Sequence, residues 1–355
     1  NNPRTVIYPA PSEFRVDTST VSSGTLPISV DNTLSTGIYI AGAQYRLESE
    51  SADTVTNLYS TLGLGGTIQG VVADSSGNWY IADYRNDRIK KYNSATGEVS
   101  VYAGSGVGAD SDFTLDRLSI AINQPCRLAL DNFERLLVST CVVGRGQVNT
   151  SYLMRINLDG SVEKITGRYG SGPITGVGGL AVNGGAGYIS ALAVDSQGHI
   201  YIAGTGFSDQ GGSRIFLVHS TTGILSELTI PTSSNGVNIN VSGQQFTGIA
   251  IDKADNLFIV DVAKHRVIKY SILDQIWSHI AGATGSSGNT TNVTTLTARF
   301  NQPRVIAIDP VGDIWIGESG NNRITLIERD TNFVRAPYIN IYTTYALAVA
   351  ANGDL

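Results

Sequence analysis

Two residue types recur at fixed places in this chain and could do chemistry. An Asp closes a short aliphatic run in five clear copies, at Asp74, Asp131, Asp195, Asp252 and Asp309. A carboxylate series invites a calcium reading, but calcium needs about six to eight oxygens converging on one point, commonly from alternating Asp and Asn in one loop. Asp74-Ser75-Ser76-Gly77-Asn78 and Asp195-Ser196-Gln197-Gly198-His199 lack that density. An Asp accepting N–H bonds from its own turn accounts for the series more simply. An Arg opens a later apolar run at Arg88, Arg155, Arg214, Arg266 and Arg323, and Arg46 fits an early copy. These could ring a channel with cations. Their association with Asp83, Asp261 and Glu318 at preceding strand ends is better explained as a hairpin ion pair or backbone clamp, of small value if exposed.

Histidine is scarce. His199, His219, His265 and His279 fall in different repeats and at different strand positions, so no two share a metal-ligand spacing. No Gly-x-Ser-x-Gly elbow sits in a strand–turn–helix context. The Gly-rich stretches at 176–179 and 184–187 precede no helix and read as long loops rather than phosphate cradles. No catalytic, metal-binding or cofactor-binding residue is assigned on this basis, and no cofactor is expected.

Cys126 and Cys141 are the only cysteines and flank a hairpin with strands at 127–131 and 136–140. A turn centred on Phe133 and Glu134 puts Leu130 opposite Leu137 and Cys126 opposite Cys141, close enough for a disulfide. Closing that loop contributes roughly 3 kcal/mol in the chain-entropy model, and the bond implies an oxidising compartment. The alternative is two buried thiols. Asn-x-Ser/Thr sequons stand at Asn149, Asn240, Asn289 and Asn292. Their number is what the Asn, Ser and Thr content gives by chance, so only their loop placement favours glycosylation.

The elements that hold these residues are repeats. An aliphatic run, Asp, a polar turn and an apolar run recur as Val71–Asp74 with Trp79–Asp83, Leu128–Asp131 with Leu136–Val138, Leu192–Asp195 with Ile200–Ala203, Ile249–Asp252 with Leu257–Asp261, and Ile306–Asp309 with Ile314–Gly317. A weaker copy joins Ile28–Asp31 to Ile38–Ala41, and another starts at Leu347-Ala348-Val349. Each copy predicts a tight hairpin, followed by a third strand opened by the Arg and by a fourth strand. Four short strands per repeat, without a 3.6-residue period, indicate an all-β propeller rather than a helical solenoid.

Asn1–Ile7 resembles Asn321–Ile327, so residues 1–20 are expected to supply the outer strands of a blade whose inner strands come from 345–355. That closure protects the sheet edges. It gives seven four-stranded antiparallel blades, near 26–64, 70–106, 125–167, 190–230, 247–282, 303–339 and 1–20 with 345–355; six blades is the alternative. Residue 355 lies inside a strand phrase, so the chain is expected to be a segment of a longer one.

Asp74–Asp83 followed by Asn86-Asp87-Arg88-Ile89 resembles the NHL repeat, whose blades read aliphatic-Asp-x-x-Gly-Asn-aromatic-aliphatic-Ala-Asp and then Asn-x-Arg-aliphatic. The inter-blade phrase of that family is similar to Ala103–Gly106 leading to Asn123-Gln124-Pro125, and to Ala281-Gly282 leading to Phe300–Pro303. About half the chain carries the resemblance. It implies a propeller and says little about function, since the family and related propellers include interaction modules, RNA-binding domains, extracellular segments, lyases and hydrolases.

Composition narrows the field. At 41% hydrophobic and 15% charged, the 355 residues can build a core. A formal charge of −6 argues against a nucleic-acid partner, and no apolar run is long enough for a spanning helix. The expectation is an extracellular or cell-surface module, non-catalytic, binding a protein or glycan through its loops or assembling with itself. Those loops are 104–124, 144–151, 167–189, 205–213, 231–246 and 283–299, with Phe113, Tyr169 and Phe207 as first contacts. The competing readings are a metal-dependent lyase or lactone hydrolase and a subunit of an extracellular filament.

Overall fold

A computed structural model describes residues 68–109, 111–141, 150–169, 174–185, 187–205, 212–234, 237–239, 243–339, 346–351 and 355, together with four short strands nearer the start. The chain divides into two compact units, 1–58 and 59–355. In the first unit Val6–Ile7 pairs with Arg15–Val16, and Ile38–Ile40 with Ala43–Tyr45, as two separate two-stranded sheets.

Among the described residues the second unit contains five blades, each an up-and-down antiparallel sheet. Blade 1 is Ile68–Ala73, Trp79–Asp83, Arg88–Tyr92 and Val99–Ala103. Blade 2 is Pro125–Leu130, Leu136–Thr140, Thr150–Ile156 and Val162–Tyr169. Blade 3 is Tyr188–Val194, Ile200–Thr205, Ser213–Val218 and Leu225–Glu227. Blade 4 is Phe246–Ile251, Asn256–Asp261, Arg266–Ser271 and Ile276–Gly282. Blade 5 is Pro303–Ile308, Ile314–Glu318, Arg323–Ile327 and Phe333–Ile339, with Val293–Thr294 as an extra edge strand. This is an all-β propeller.

The second strands read as unbroken apolar runs because both faces are covered. In blade 4, Leu257 and Ile259 pack toward blade 3 while Phe258 and Val260 pack toward blade 5. In blade 2, Leu136 and Val138 join blade 1, and Leu137 joins blade 3. The two-residue alternation of a strand thus feeds two cores at once. Each such Leu, Ile or Phe contributes about 1.5–3 kcal/mol of burial.

The count of five corrects the expected seven blades, and the alternative of six. Val6–Ile7 pairs with Arg15–Val16, and Val349 lies in no strand, so the expected pairing of the first residues with 345–355 is not found among the described residues; most of the expected blade at 26–64 lies outside them. Residues 346–350 instead pack on blade 5. Leu347 and Val349 contact the Ala307, Trp315, Ile324 and Leu326 cluster, on the face opposite the one carrying Ile306, Ile314 and Ile316. Where the five good copies carry the turn Asp, this copy has Ala350.

The connectors between blades are not plain loops. Arg117 N–H donates to Gly160 C=O at the outer turn of blade 2, Leu180 bridges Ile224 of blade 3, and Val293–Thr294 pairs with Phe333–Val334 of blade 5. These three connectors therefore cover the outer edges of blades 2, 3 and 5, where an open row of N–H and C=O groups would otherwise invite aggregation.

Candidate functional site

The recurrent Asp residues are built into the turns. Asp74 Oδ1 accepts from the N–H groups of Ser76 and Asn78, Asp131 Oδ1 from Phe133 and Arg135, and Asp195 Oδ1 from Gln197 and His199. Asp252 repeats this with Ala254 and Asn256, and Asp309 with Val311 and Asp313. All but Asp252 are buried. The second carboxylate oxygen is also engaged, by Arg135 and Arg155 at Asp131, by His199 Nδ1 at Asp195, and by Trp315 Nε1 at Asp309.

These same turns are latched to one another around the molecule. Ser75 N–H donates to Glu134 Oε1, Asn132 Nδ2 to Ser196 C=O, Ser196 N–H to Asp255 Oδ1, and Lys253 Nζ to Pro310 C=O. Blades 1 to 5 are thus linked in sequence by side chains that the repeat pattern alone does not single out.

The Arg series splits. In blades 1, 4 and 5 the strand registers put Arg88, Arg266 and Arg323 opposite Asp83, Asp261 and Glu318. Arg266 Nε meets Asp261 Oδ2 at 3.2 Å with both side chains fully buried, and its Nη1 and Nη2 donate to the carbonyls of Asn238 and Ile239. Arg323 Nε meets Glu318 Oε1 at 2.6 Å and clamps the carbonyls of Asn289 and Arg299. Thr325 Oγ1 donates to the same carboxylate. Arg88 Nη2 donates to Ser105 C=O. Arg155 is not equivalent: it lies opposite Leu137, near the other end of its strand, and reaches Asp131 and Glu163. Arg214 makes an exposed pair with Glu227. Burial opposes both charges of the central pair, raising the Asp261 carboxyl and lowering the Arg266 guanidinium.

Two of the four histidines meet, contrary to the expectation that each stands in a different repeat: His199 and His219 both lie beside strands of blade 3. His199 and His219 meet edge to face with ring centres 5.4 Å apart, His265 Nδ1 accepts from Gln302 N–H, and His279 lies in blade 4. Among the described residues no three His, Cys, Asp or Glu side chains form a group able to hold a metal. His279 Nε2 is buried without a hydrogen-bond partner. Burial lowers its pKa, and the nearby Arg266 lowers it further. The fold therefore favours neutral imidazole, while the unfolded chain protonates near pH 6.5. Stability should fall as pH drops below about 6.5, levelling off once the folded form also protonates. Thermal unfolding between pH 5 and 7 should show this slope, and His279→Gln should flatten it; an unchanged slope in the variant would contradict the assignment.

Cys126 and Cys141 form a disulfide, with Cα atoms 5.8 Å apart. The register differs by one from the sequence expectation. Leu130 faces Leu136 rather than Leu137, because the turn closes from Asp131 to Arg135 with Glu134 at φ +59° and is centred on Phe133 alone. A bulge between Ser139 and Thr140 then brings the two cysteines together. At this bulge Ser139 Oγ accepts the N–H of Arg127 and touches Cys126 Sγ.

The first strands of all five blades, with Ala346 and Leu347, line a central cavity of about 70 Å³. Its only charged lining residue among those described is Arg127, which the sequence reading did not select. Arg127 Nη1 donates to Gln69 C=O at 2.7 Å. Gly70 permits this approach: a Cβ there would sit 2.3 Å from Cys126 C=O. Gly70→Ala should accordingly cost about 1–3 kcal/mol, the usual range for overpacking, measurable as a shifted denaturation midpoint. A neutral outcome would mean that blades 1 and 2 are not in this contact. A second cavity, about 140 Å³, lies in an outer cleft beside Arg155, Leu180 and His219.

Of the expected loop contacts, Phe113 packs edge to face on Tyr152 at 5.3 Å and belongs to the blade 1–2 core. Tyr169 lies in a strand opposite Thr150 rather than in a loop. Phe207, Asn149 and Asn240 lie outside the described residues. Asn289 and Asn292 are exposed on the connector before blade 5.

No family model matches the chain, and no curated protein matches it in sequence. Solved structures do resemble it. A protein of unknown function from Bacteroides thetaiotaomicron aligns at 12% identity and TM-score 0.53, over 81% of this chain and 64% of the other. An auxiliary nutrient binding protein from the same organism aligns at 13% and 0.51, over 77% and 57%. The chain thus spans under two thirds of either. A gluconolactonase from Xanthomonas campestris aligns at 12% and 0.51, over 81% and 80%. At such identities the likeness establishes the fold alone.

Proposed function

We propose that this chain is a non-catalytic binding and assembly module of the NHL type, displayed outside the cell and engaging a protein partner through its connectors. The observation that carries this reading is the engagement of its chemistry-bearing side chains in scaffolding. The turn Asp residues accept their own backbone N–H groups, and the Arg266 and Arg323 guanidiniums clamp connectors. No acid–base pair is left facing the channel among its described lining residues.

The connector before blade 2 exposes Val107, Leu115 and Leu118, and that before blade 5 exposes Leu296. Aliphatic contacts of this kind suit a protein surface better than a glycan or a phosphate backbone. The disulfide supports an oxidising compartment, and the net charge of −6 disfavours nucleic acid. No helix among the described residues is long and apolar enough to cross a membrane.

The test is metal analysis and activity screening of the purified protein, with cross-linking to secreted proteins in parallel. Stoichiometric zinc or calcium whose removal abolishes a lyase or lactonase activity would overturn the reading. Cross-linking lost in Leu115→Glu/Leu118→Glu, with the unfolding midpoint unchanged, is the expected result.

A further inference from the structure

We propose that His199 and His219 together bind one divalent ion of the late first-row transition metals, copper more tightly than nickel or zinc. This goes beyond the connector-mediated role above and does not depend on it, since it assigns a binding site and no reaction.

The sheet makes the pair. His199 and His219 stand 20 residues apart with no ligand motif between them. Ile200 faces Val218 across the second and third strands of blade 3. His199 and His219 are the next residues opposite each other, on one face of the sheet. Their ring centres are 5.4 Å apart. Metal–nitrogen bonds of about 2.0–2.1 Å put an ion about 3 Å from the centre of each imidazole it binds, so one ion spans ring centres up to about 6 Å apart.

Each ring is held at one nitrogen and keeps the other. His199 Nδ1 lies 2.9 Å from Asp195 Oδ2. Asp195 is buried, and its other oxygen accepts the N–H groups of Gln197 and His199. A carboxylate on one ring nitrogen fixes the tautomer and makes the opposite nitrogen a better metal ligand, here His199 Nε2. The His199 side chain is 20% exposed, so that nitrogen is within reach of solvent. His219 Nε2 lies 3.2 Å from Ser226 Oγ; when Nε2–H donates to that hydroxyl, Nδ1 carries the free lone pair. The rings now meet edge to face. To share an ion His219 must turn, and Ser226 holds its ring by a single hydrogen bond.

The repeat gives an independent sign. At the place of His199, blades 1 and 4 carry Asn78 and Asn256, whose amides donate to Asp74 and Asp252. At the place of His219, blade 1 carries Asn93, which opens its turn by donating to Glu98 C=O as His219 N–H does to Ile224 C=O. Asn therefore suffices for the fold at both positions, and both departures fall on one opposed pair. Departures from a local rule of this kind concentrate at functional sites. Imidazole nitrogens suit copper, nickel and zinc, whereas calcium and magnesium take oxygen. Within the first group, copper binds a given nitrogen site most tightly.

Isothermal titration of the metal-free chain with copper, nickel, zinc, magnesium and calcium chlorides tests this. One-to-one binding is expected for the first three, tightest for copper, with no saturable binding of magnesium or calcium. His199→Asn and His219→Asn, each the residue another blade carries there, should each weaken copper binding about a hundredfold, the lower end of what joining two sites adds. The unfolding midpoint of the metal-free protein should not move in either. His265→Asn, in blade 4, should leave copper affinity unchanged. No copper binding, full affinity in either His199→Asn or His219→Asn, an equal loss in His265→Asn, or calcium bound as tightly as zinc would each overturn the assignment.

Discussion

Arg266→Met is expected to destabilise the protein by about 3–5 kcal/mol, the usual cost of removing one partner from a buried ion pair. Arg266 and Asp261 are both fully buried. Removing the guanidinium strands the Asp261 carboxylate and two connector carbonyls, at Asn238 and Ile239, in one step. Asp261 retains the backbone N–H groups of Gln245 and Lys264, neither of them a charge. The double variant Asp261→Leu/Arg266→Met should recover part of the loss, because burying apolar side chains costs far less than burying an uncompensated charge. Guanidinium titration of both variants reads this directly. A single-variant loss below about 1 kcal/mol, typical of exposed pairs, would show that the pair is solvated.

The second large effect is expected at the disulfide. Cys126→Ser/Cys141→Ser should cost about 2–5 kcal/mol. The same double variant should also loosen the bulge at Ser139, whose Oγ accepts the Arg127 N–H. Thiol counting of the unfolded wild-type protein without reductant should give no free thiol. Two labelled thiols would contradict the bond and remove the argument for an oxidising compartment.

What was legible in the sequence was local. The role of Asp74 or Asp195 depends on residues two and four positions on, so the turn reading needed no tertiary information, and the same holds for the clamp at Arg266 and its partner five residues earlier. The disulfide was legible because one hairpin carries both cysteines, although Glu134 in the left-handed region shifted the register by one. The blade count failed because closure depends on pairing between chain ends far apart in sequence. The pairing of the connectors with the following blade was not legible, because it joins segments far apart in sequence, as Arg117 with Gly160. Arg127 was passed over since it precedes its aliphatic run as an ordinary strand residue. Only convergence of five first strands reveals that it faces a channel.

Hydrogen exchange followed by mass spectrometry tests the five-bladed arrangement most directly. Amides of 68–73, 125–130, 188–194, 246–251 and 303–308 should exchange slowly, as interior strands bonded within their own blades do. Residues 346–350, held on Trp315 by side chains and in no strand, should exchange markedly faster. Equally strong protection of 346–350, rising and falling together with residues 6–7, would establish a sheet shared by these segments and contradict the five-bladed arrangement.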